Sequence, residues 1–432
     1  MSSVDAKLLQ HVEDHYSDYT LDMFAINMSD DLEEMELFYK LYETVKGKHL
    51  YAWESTRDDS AEPEIDIVRA DGEQLHVINL ATYNYLGYNH HPEVIKAAQD
   101  ALAKYGLGTC SSPVIGKCLI HKQFEDALIS HYNLPTHQAS LFNSGYAVNL
   151  GAIQAFIKPG NCVLLDTNVH TSIAEGAKIS GGTVATFAHN NMTELEALLK
   201  KHCDSFTRVL ICVDGLYSCD GDRAKLKEIV ALAKQYGAFT LVDEAHSVLV
   251  AGDNGCGVCE EQDVLADVDM IVVTFSKGFA SVGGAVIARK AIAQYLNIFA
   301  NTRFFTCSLP PATVGGMLKI LELAKTADGR ARRERVKQNS EYFRGLLRGK
   351  VNLGVSDSWI VTVACGKDST VLETHNYLQK NGLDASIMAF PAVPKNDARM
   401  RMFVTCDHSR EQLDRAAAII LATASKFDFL VG

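Results

Sequence analysis

No apolar run in the sequence approaches the ~18–20 residues that cross a bilayer as a helix. Residues 1–13 are polar and acidic and lack the apolar stretch of a secretory signal. A soluble, cytoplasmic protein is therefore expected, with at most peripheral contact to a membrane. Positive charge is also short: 41 basic residues against 53 acidic ones leave a formal charge of −12. That balance disfavours nonspecific binding of nucleic acid or anionic membrane, although a local basic pocket can still take an anion. A zinc set is missing. The 11 cysteines are odd in number and scattered; Cys256 and Cys259 come nearest to a metal pair, and no second pair completes a site. The expectation is no metal and reduced thiols. Internal repeats and low-complexity tracts are absent. With 47% hydrophobic and 22% charged residues among 432, the chain is not globally disordered and can fill two packed units.

The pattern that is present begins with helices over the first fifty residues. Asp30 and Glu33 have capping-box spacing. Met35, Phe38, Leu41, Tyr42 and Val45 follow at helical intervals, as a stripe expected to pack. Residues 55–64 read as a polar loop, and 94–105 and 121–131 as amphipathic helices. Short apolar runs then appear at 162–165, 209–213, 239–242 and 270–274. They are nearly continuous in hydrophobicity, as strands covered on both faces should be. Helical stretches such as 225–236 lie between them, so the fold class is α/β with a mainly parallel central sheet. Polar residues directly after such strands fall at the carboxyl edge, where α/β proteins bind ligands. Beyond lie a basic helix from 326 to 337, a strand at 359–364, a helix at 371–381, a strand at 401–405 and a last helix to 424. The expected organisation is an N-terminal helical segment and arm (1–78), a large domain (79–325) and a smaller C-terminal α+β domain (326–432).

Four segments carry chemistry. Thr274-Phe275-Ser276-Lys277 directly follows an apolar strand and is followed by Gly283-Gly284. An unpaired ammonium is costly to bury there, whereas a lysine joined to an aldehyde cofactor as a Schiff base makes sense. Read alone, Lys277 also fits a lysine that snorkels from a strand end. Asp243-Glu244-Ala245-His246-Ser247 also follows a strand. Its first carboxylate can pair with a protonated pyridine nitrogen, or simply cap a helix. Asn143-Ser144-Gly145-Tyr146 is a glycine turn opening a helix, which offers N–H groups to a phosphate. Asp166-Thr167-Asn168-Val169-His170 could set an imidazole against a pyridine ring.

Together these segments resemble the α-oxoamine synthases, enzymes of the pyridoxal 5′-phosphate (PLP)-dependent transferase fold type I. The resemblance runs from about residue 79 to 408. It includes Asn84-Tyr85-Leu86-Gly87, Thr306-Cys307-Ser308-Leu309-Pro310-Pro311, and Pro391-Ala392-Val393-Pro394 ahead of Arg401 and His408. It implies that Lys277 carries PLP, Asp243 pairs with the ring nitrogen, His170 stacks on the ring and His246 lies near its 3-hydroxyl. It further implies that Gly145, Tyr146, Thr274 and Ser276 hold the phosphate and that Ser218 lies on the cofactor side. Arg401 would bind the amino-acid carboxylate, with Asn84, Tyr85 and His121 also on the substrate side. Cys307 and Ser308 would complete the cofactor site of a neighbouring subunit, so a homodimer is implied.

Within the family the chain most resembles the serine palmitoyltransferases in the Lys277 segment, residues 305–311 and Gly215-Leu216-Tyr217-Ser218. The implied reaction joins an amino acid, L-serine first, to a long-chain acyl thioester with loss of carbon dioxide. The product would be 3-ketosphinganine, the first intermediate of sphingolipid synthesis. The acyl carrier is coenzyme A or an acyl carrier protein. Glycine or alanine as donor is the alternative, followed by an aminotransferase or a non-catalytic partner subunit. Two departures border the substrate entrance: Ser112 stands where the family usually has arginine, and residues 395–398 replace a small glycine-containing turn.

Overall fold

The computed structural model describes residues 31–57, 61–390 and 392–431. Asp30 of the expected capping box and Pro391 of the C-terminal motif lie outside them. The chain divides into two compact units. The larger comprises Tyr83–Ser218 and Asp222–Val336; the smaller takes the residues up to Thr82, Cys219–Gly221 and those from Lys337 onward. The division thus falls four residues after the expected first boundary and eleven after the second, because the helix Ala327–Leu347 begins inside the larger unit. Arg332 donates there to the Leu86 carbonyl, and Arg333 to those of Ala324 and Asp253.

The larger unit is built on a seven-stranded sheet. In spatial order the strands are His137–Phe142, Gly284–Arg289, Met270–Thr274, Phe239–Asp243, Val209–Asp214, Cys162–Asp166 and Thr183–Phe187. All run parallel except Gly284–Arg289, which is antiparallel to both neighbours. The four apolar runs read from the sequence are all central strands. Every residue of Val209–Asp214, Cys162–Asp166 and Met270–Thr274 is buried, the consequence of a sheet covered on both faces. Three strands had no comparable run. His137–Phe142 and Thr183–Phe187 are interrupted by polar residues, and Gly284–Arg289 opens with glycine.

Helices Gly145–Phe156, Thr171–Ile179 and Lys290–Phe299 supply part of the apolar layer on the sheet. Val148, Ile153, Ile173 and Leu296 pack there with Leu165, Leu210 and Val272. Each fully buried side chain of this size contributes roughly 1.5–3 kcal/mol. Local signals fix the helix ends. Ser144 caps Gly145–Phe156 by accepting from the Ala147 N–H, and Asn191 caps Met192–His202 by accepting from Glu194. Gly237 ends Leu226–Tyr236 in the left-handed conformation.

The smaller unit holds a three-stranded antiparallel sheet of Ile360–Gly366, Ala398–Phe403 and Ser386–Met388. A four-stranded sheet joins Thr56–Arg57, Glu64–Val68, Gln74–Asn79 and Leu383–Asp384. Strand residues therefore occur at both ends of the expected 55–64 loop. Helix Arg410–Lys426 starts with a complete capping box, Ser409 and Gln412. In helix Asp31–Gly47 the apolar stripe packs only in its second half. Leu41 and Val45 are buried and cluster with Leu37, Leu50, Tyr51 and Leu372, whereas Met35 and Phe38 are exposed. No described helix is long and apolar enough to cross a membrane.

Candidate active site

Because all strands but one share a direction, Phe142, Asp166, Asp214, Asp243 and Thr274 end at the same edge of the sheet. Gly284 begins there, since its strand is reversed. A cavity of about 230 Å³ opens at this edge. Nine of the residues singled out from sequence line it: Gly145, Tyr146, His170, Ser218, Asp243, His246, Thr274, Ser276 and Lys277. They lie on five separate strand-end segments, so only the sheet brings them together.

Asp243 is held on both oxygens. Its Oδ1 accepts the Ala245 N–H at 2.9 Å and its Oδ2 accepts from Asn149 Nδ2 at 2.6 Å. The same amide reaches Ser172 Oγ at 3.0 Å, and that hydroxyl lies 2.7 Å from His170 Nδ1. Nδ1 also accepts the Ser172 backbone N–H at 3.3 Å. With Nδ1 so used as an acceptor, the proton of a neutral His170 resides on Nε2. Asp243, Asn149, Ser172 and His170 thus form one connected network, and two of the four carry no local sequence signal. His246 is buried; its Nδ1 stands 2.8 Å from the Tyr85 hydroxyl. Lys277 Nζ lies 5.9 Å from the centre of the Tyr83 ring.

Asp214 is a second carboxylate in the cavity that sequence reading missed. It sits beside Asp243 in the parallel register and accepts the His170 N–H at 3.3 Å. Burial, and then the charge of Asp243, push its carboxyl well above the ordinary range. Two neighbouring buried carboxylates are disfavoured as a doubly ionised pair. Glu244 of the same motif faces away from this chemistry. Its two oxygens accept the N–H groups of Val258 and Cys259 at 2.9 and 2.7 Å. Cys256 and Cys259 do stand at Cys-x-x-Cys spacing, but both are buried and free of disulfides.

The residues fit PLP. Ser144, Gly145 and Tyr146 place the N-terminus of a helix at the cavity, where backbone N–H groups suit a phosphate. A Cβ on Gly145 would strike the Thr274 side chain, so only glycine lets that hydroxyl and the helix end share one cradle. The Tyr146 hydroxyl is bonded to Glu175, which leaves its backbone as the group available to an anion. An aldehyde-reactive amine, a carboxylate and an aromatic imidazole complete the donor set.

Other expected site residues lie elsewhere. His121, Cys307 and Ser308 line a separate, narrower pocket with Arg303. His121 Nε2 lies 2.8 Å from the Leu309 carbonyl oxygen. Asn84 is half-buried and Tyr85 fully buried. Arg401 belongs to the smaller unit, where its strand pairs it with Ser386 and its guanidinium covers the Phe403 ring at 5.0 Å. His408 is structural. Its Nδ1 accepts the Thr405 N–H at 3.0 Å, and its Nε2 lies 3.2 Å from the Asn79 carbonyl. Ser112 uses its hydroxyl on the Phe304 carbonyl at 2.7 Å. In the turn before Arg401, Asn396 takes the left-handed conformation at φ 62°, which asparagine tolerates better than most residues. Its N–H is held by Asp368 at 2.8 Å. His49, Asp71 and Glu73 gather oxygen and nitrogen atoms, but Arg69 stands 3.6 Å from both carboxylates and makes the group an ion-pair network.

Comparison with known proteins agrees with this chemistry. Residues 76–420 match the family "aminotransferase class I and II". The 8-amino-7-oxononanoate synthase of Treponema denticola is 36% identical over 392 residues, covering 90% of this chain and 97% of that protein. The serine palmitoyltransferase of Bacteriovorax stolpii is 33% identical over 370 residues, covering 85% and 86%. A solved serine palmitoyltransferase from S. paucimobilis, with a bound PLP–myriocin aldimine, superposes with a TM-score of 0.85. It is 30% identical and covers 92% of this chain and 99% of that one. The lysine, carboxylate and helix-end cradle thus belong to a chain that is a member of the class I and II aminotransferase family and, within it, of the PLP-dependent α-oxoamine synthases of fold type I.

Proposed function

We propose that this enzyme condenses L-serine with a long-chain acyl thioester, releasing carbon dioxide and the thiol and forming 3-ketosphinganine. The observation that carries the reading is the Thr274-Phe275-Ser276-Lys277 segment. It keeps a hydroxyl immediately before the lysine, and both residues line the cavity. The likeness to serine palmitoyltransferases over nine-tenths of the chain supports it.

When bound, PLP accepts the electrons released at the amino-acid Cα. Lys277 Nζ takes the Cα proton. The Asp243 carboxylate, fixed by Asn149 and Ala245, keeps the ring-nitrogen end of the cavity anionic. His170, whose tautomer Ser172 fixes, would stack on the ring. His246, oriented by Tyr85, would lie near the 3-hydroxyl. Gly145, Tyr146, Thr274 and Ser276 would hold the phosphate, with Ser218 on the cofactor side. Arg401 binds the amino-acid carboxylate, a role that its planar fork suits.

The assembly that fits is a homodimer. Leu107, Ile115, Leu119 and Phe305 are large, apolar and between 61% and 86% exposed, in the segments around Ser112 and Cys307. A patch of that kind marks an interface, and it would carry Cys307 and Ser308 to the neighbour's phosphate.

A second reading has its own support, since a relative named 8-amino-7-oxononanoate synthase matches at 36% identity over 90% of the chain. In that reading the donor is alanine or glycine and the acyl partner differs. A panel of serine, alanine and glycine against short and long acyl thioesters, read by product mass, separates the two. The sphingoid reading requires the highest turnover per bound donor from serine with a long chain. A larger kcat/KM for alanine or glycine overturns it and leaves the condensation chemistry standing.

A further inference from the structure

We propose that His189 is a positioning residue that clamps together the two loops carrying His170 and Ser218 into the PLP cavity. His189 lies just beyond the edge strand Thr183–Phe187 and does not line the cavity. Its imidazole is bonded at both ends: Nδ1 lies 3.0 Å from Asp166 Oδ1, and Nε2 lies 2.9 Å from Asp222 Oδ2. Each carboxylate anchors one loop.

Asp166 is 1% exposed and ends its strand. Its Oδ1 also accepts the Asn168 N–H at 2.8 Å, two residues before His170. Asp222 lies on the return of the other loop. Its backbone carbonyl accepts the Tyr217 N–H at 2.9 Å, one residue before Ser218, and Leu216 bridges Arg223. Asn190, next to His189, reinforces both ends. Its N–H bonds Asp166 at 2.9 Å, and its side chain donates to Asp222 and to the Arg223 carbonyl at 3.1 and 3.0 Å. Tyr217 meets the imidazole edge to face, with ring centres 4.5 Å apart.

Two flanking carboxylates require a ring that donates from both nitrogens, which is an imidazolium. Burial opposes that charge, but the hydrogen bonds to Asp166 and Asp222 outweigh it and raise the imidazole to about 10. The clamp is therefore charged and closed throughout the neutral range. The separation of the His170 wall from the Ser218 wall depends on it, although no atom of His189 lines the cavity.

The test uses full-length protein stripped of PLP and then titrated with it, followed by the visible absorption of the lysine-bound cofactor. Asp222→Asn weakens one arm while leaving the Asp166–His189 pair in place. Losing one charge-assisted bond predicts PLP binding weakened by roughly tenfold. His189→Gln should lose more. Should His189→Gln fail to fold, Asp222→Asn decides. The readout that separates positioning from general stability is a double-mutant cycle with Ser218→Ala. If the clamp acts by placing Ser218, the second substitution adds little to the first, a coupling of roughly fivefold or more. PLP affinity within about twofold of the parent for Asp222→Asn, or additive losses in the cycle, overturns the proposal.

Discussion

Asn149 Nδ2 stands 2.6 Å from Asp243 Oδ2, across 94 residues of sequence. Asp243 is 4% exposed, and among the described residues its carboxylate has no second side-chain donor as close. Replacing Asn149 by leucine removes a charge-assisted hydrogen bond of about 1.5–3 kcal/mol. PLP affinity should fall by roughly ten- to a hundredfold, measured by titrating apoprotein. An unchanged affinity would mean that Asp243 needs no lateral support.

Lys277→Ala should keep the fold and lose the covalent link. Wild-type protein reduced with borohydride and digested should yield one pyridoxyl-labelled peptide, with the label on Lys277. A label on any other lysine removes the central assignment.

His408 predicts a dependence of stability on acid. Burial lowers its imidazole from 6.5 to about 4, because the ring is cut off from the water that would solvate an imidazolium. The folded state therefore binds the proton less readily than the unfolded one. Its contribution is complete above pH ~6.5 and drains away as the pH falls towards ~4, in total roughly 3 kcal/mol. Denaturant unfolding should show that loss, and His408→Asn should be less stable at pH 7 yet have a shallower slope between those limits. An identical slope would place the acid sensitivity in other groups.

Phe305→Asp should test the assembly. Phe305 is 77% exposed and lies two residues before Cys307. A buried charge at a subunit contact is strongly unfavourable, so sedimentation should show monomer, with PLP released. A fully active monomer would contradict the proposed homodimer.

Much of the centre of the molecule is written plainly in the chain. Met270–Thr274 is apolar from end to end, so its position and the placement of Lys277 after it follow directly from hydrophobicity. Thr183–Phe187 shows the opposite case. At the sheet edge only Phe187 is buried, so no continuous apolar signal is required of it. Asn149 and Asp214 were illegible for another reason. Asn149 sits inside an apolar helix, and its meaning comes from a carboxylate 94 residues later in the chain. Asp214 gains its role only from the neighbouring register position. The stripe on Asp31–Gly47 was misread at its start, since Met35 and Phe38 keep the helical period but meet solvent.

The reversed strand Gly284–Arg289 sits between two parallel ones, and the nine residues 275–283 must turn the chain back within that space. Phe275 and Gly283 close the turn by a backbone bond at 2.9 Å, and Ser281 bonds back to Phe275 at 2.9 Å. Gly283 takes φ 107°, with Leu309 where a Cβ would be. An insertion here would have no slack to absorb it. One extra residue would slide Gly284–Arg289 by one register position and exchange Val286 and Ala288 with Ala285 and Ile287 across the sheet. The loop of the reactive lysine should thus be among the segments of the molecule least tolerant of length change in evolution or design. Variation in substrate range must then come from the surrounding strand-end loops.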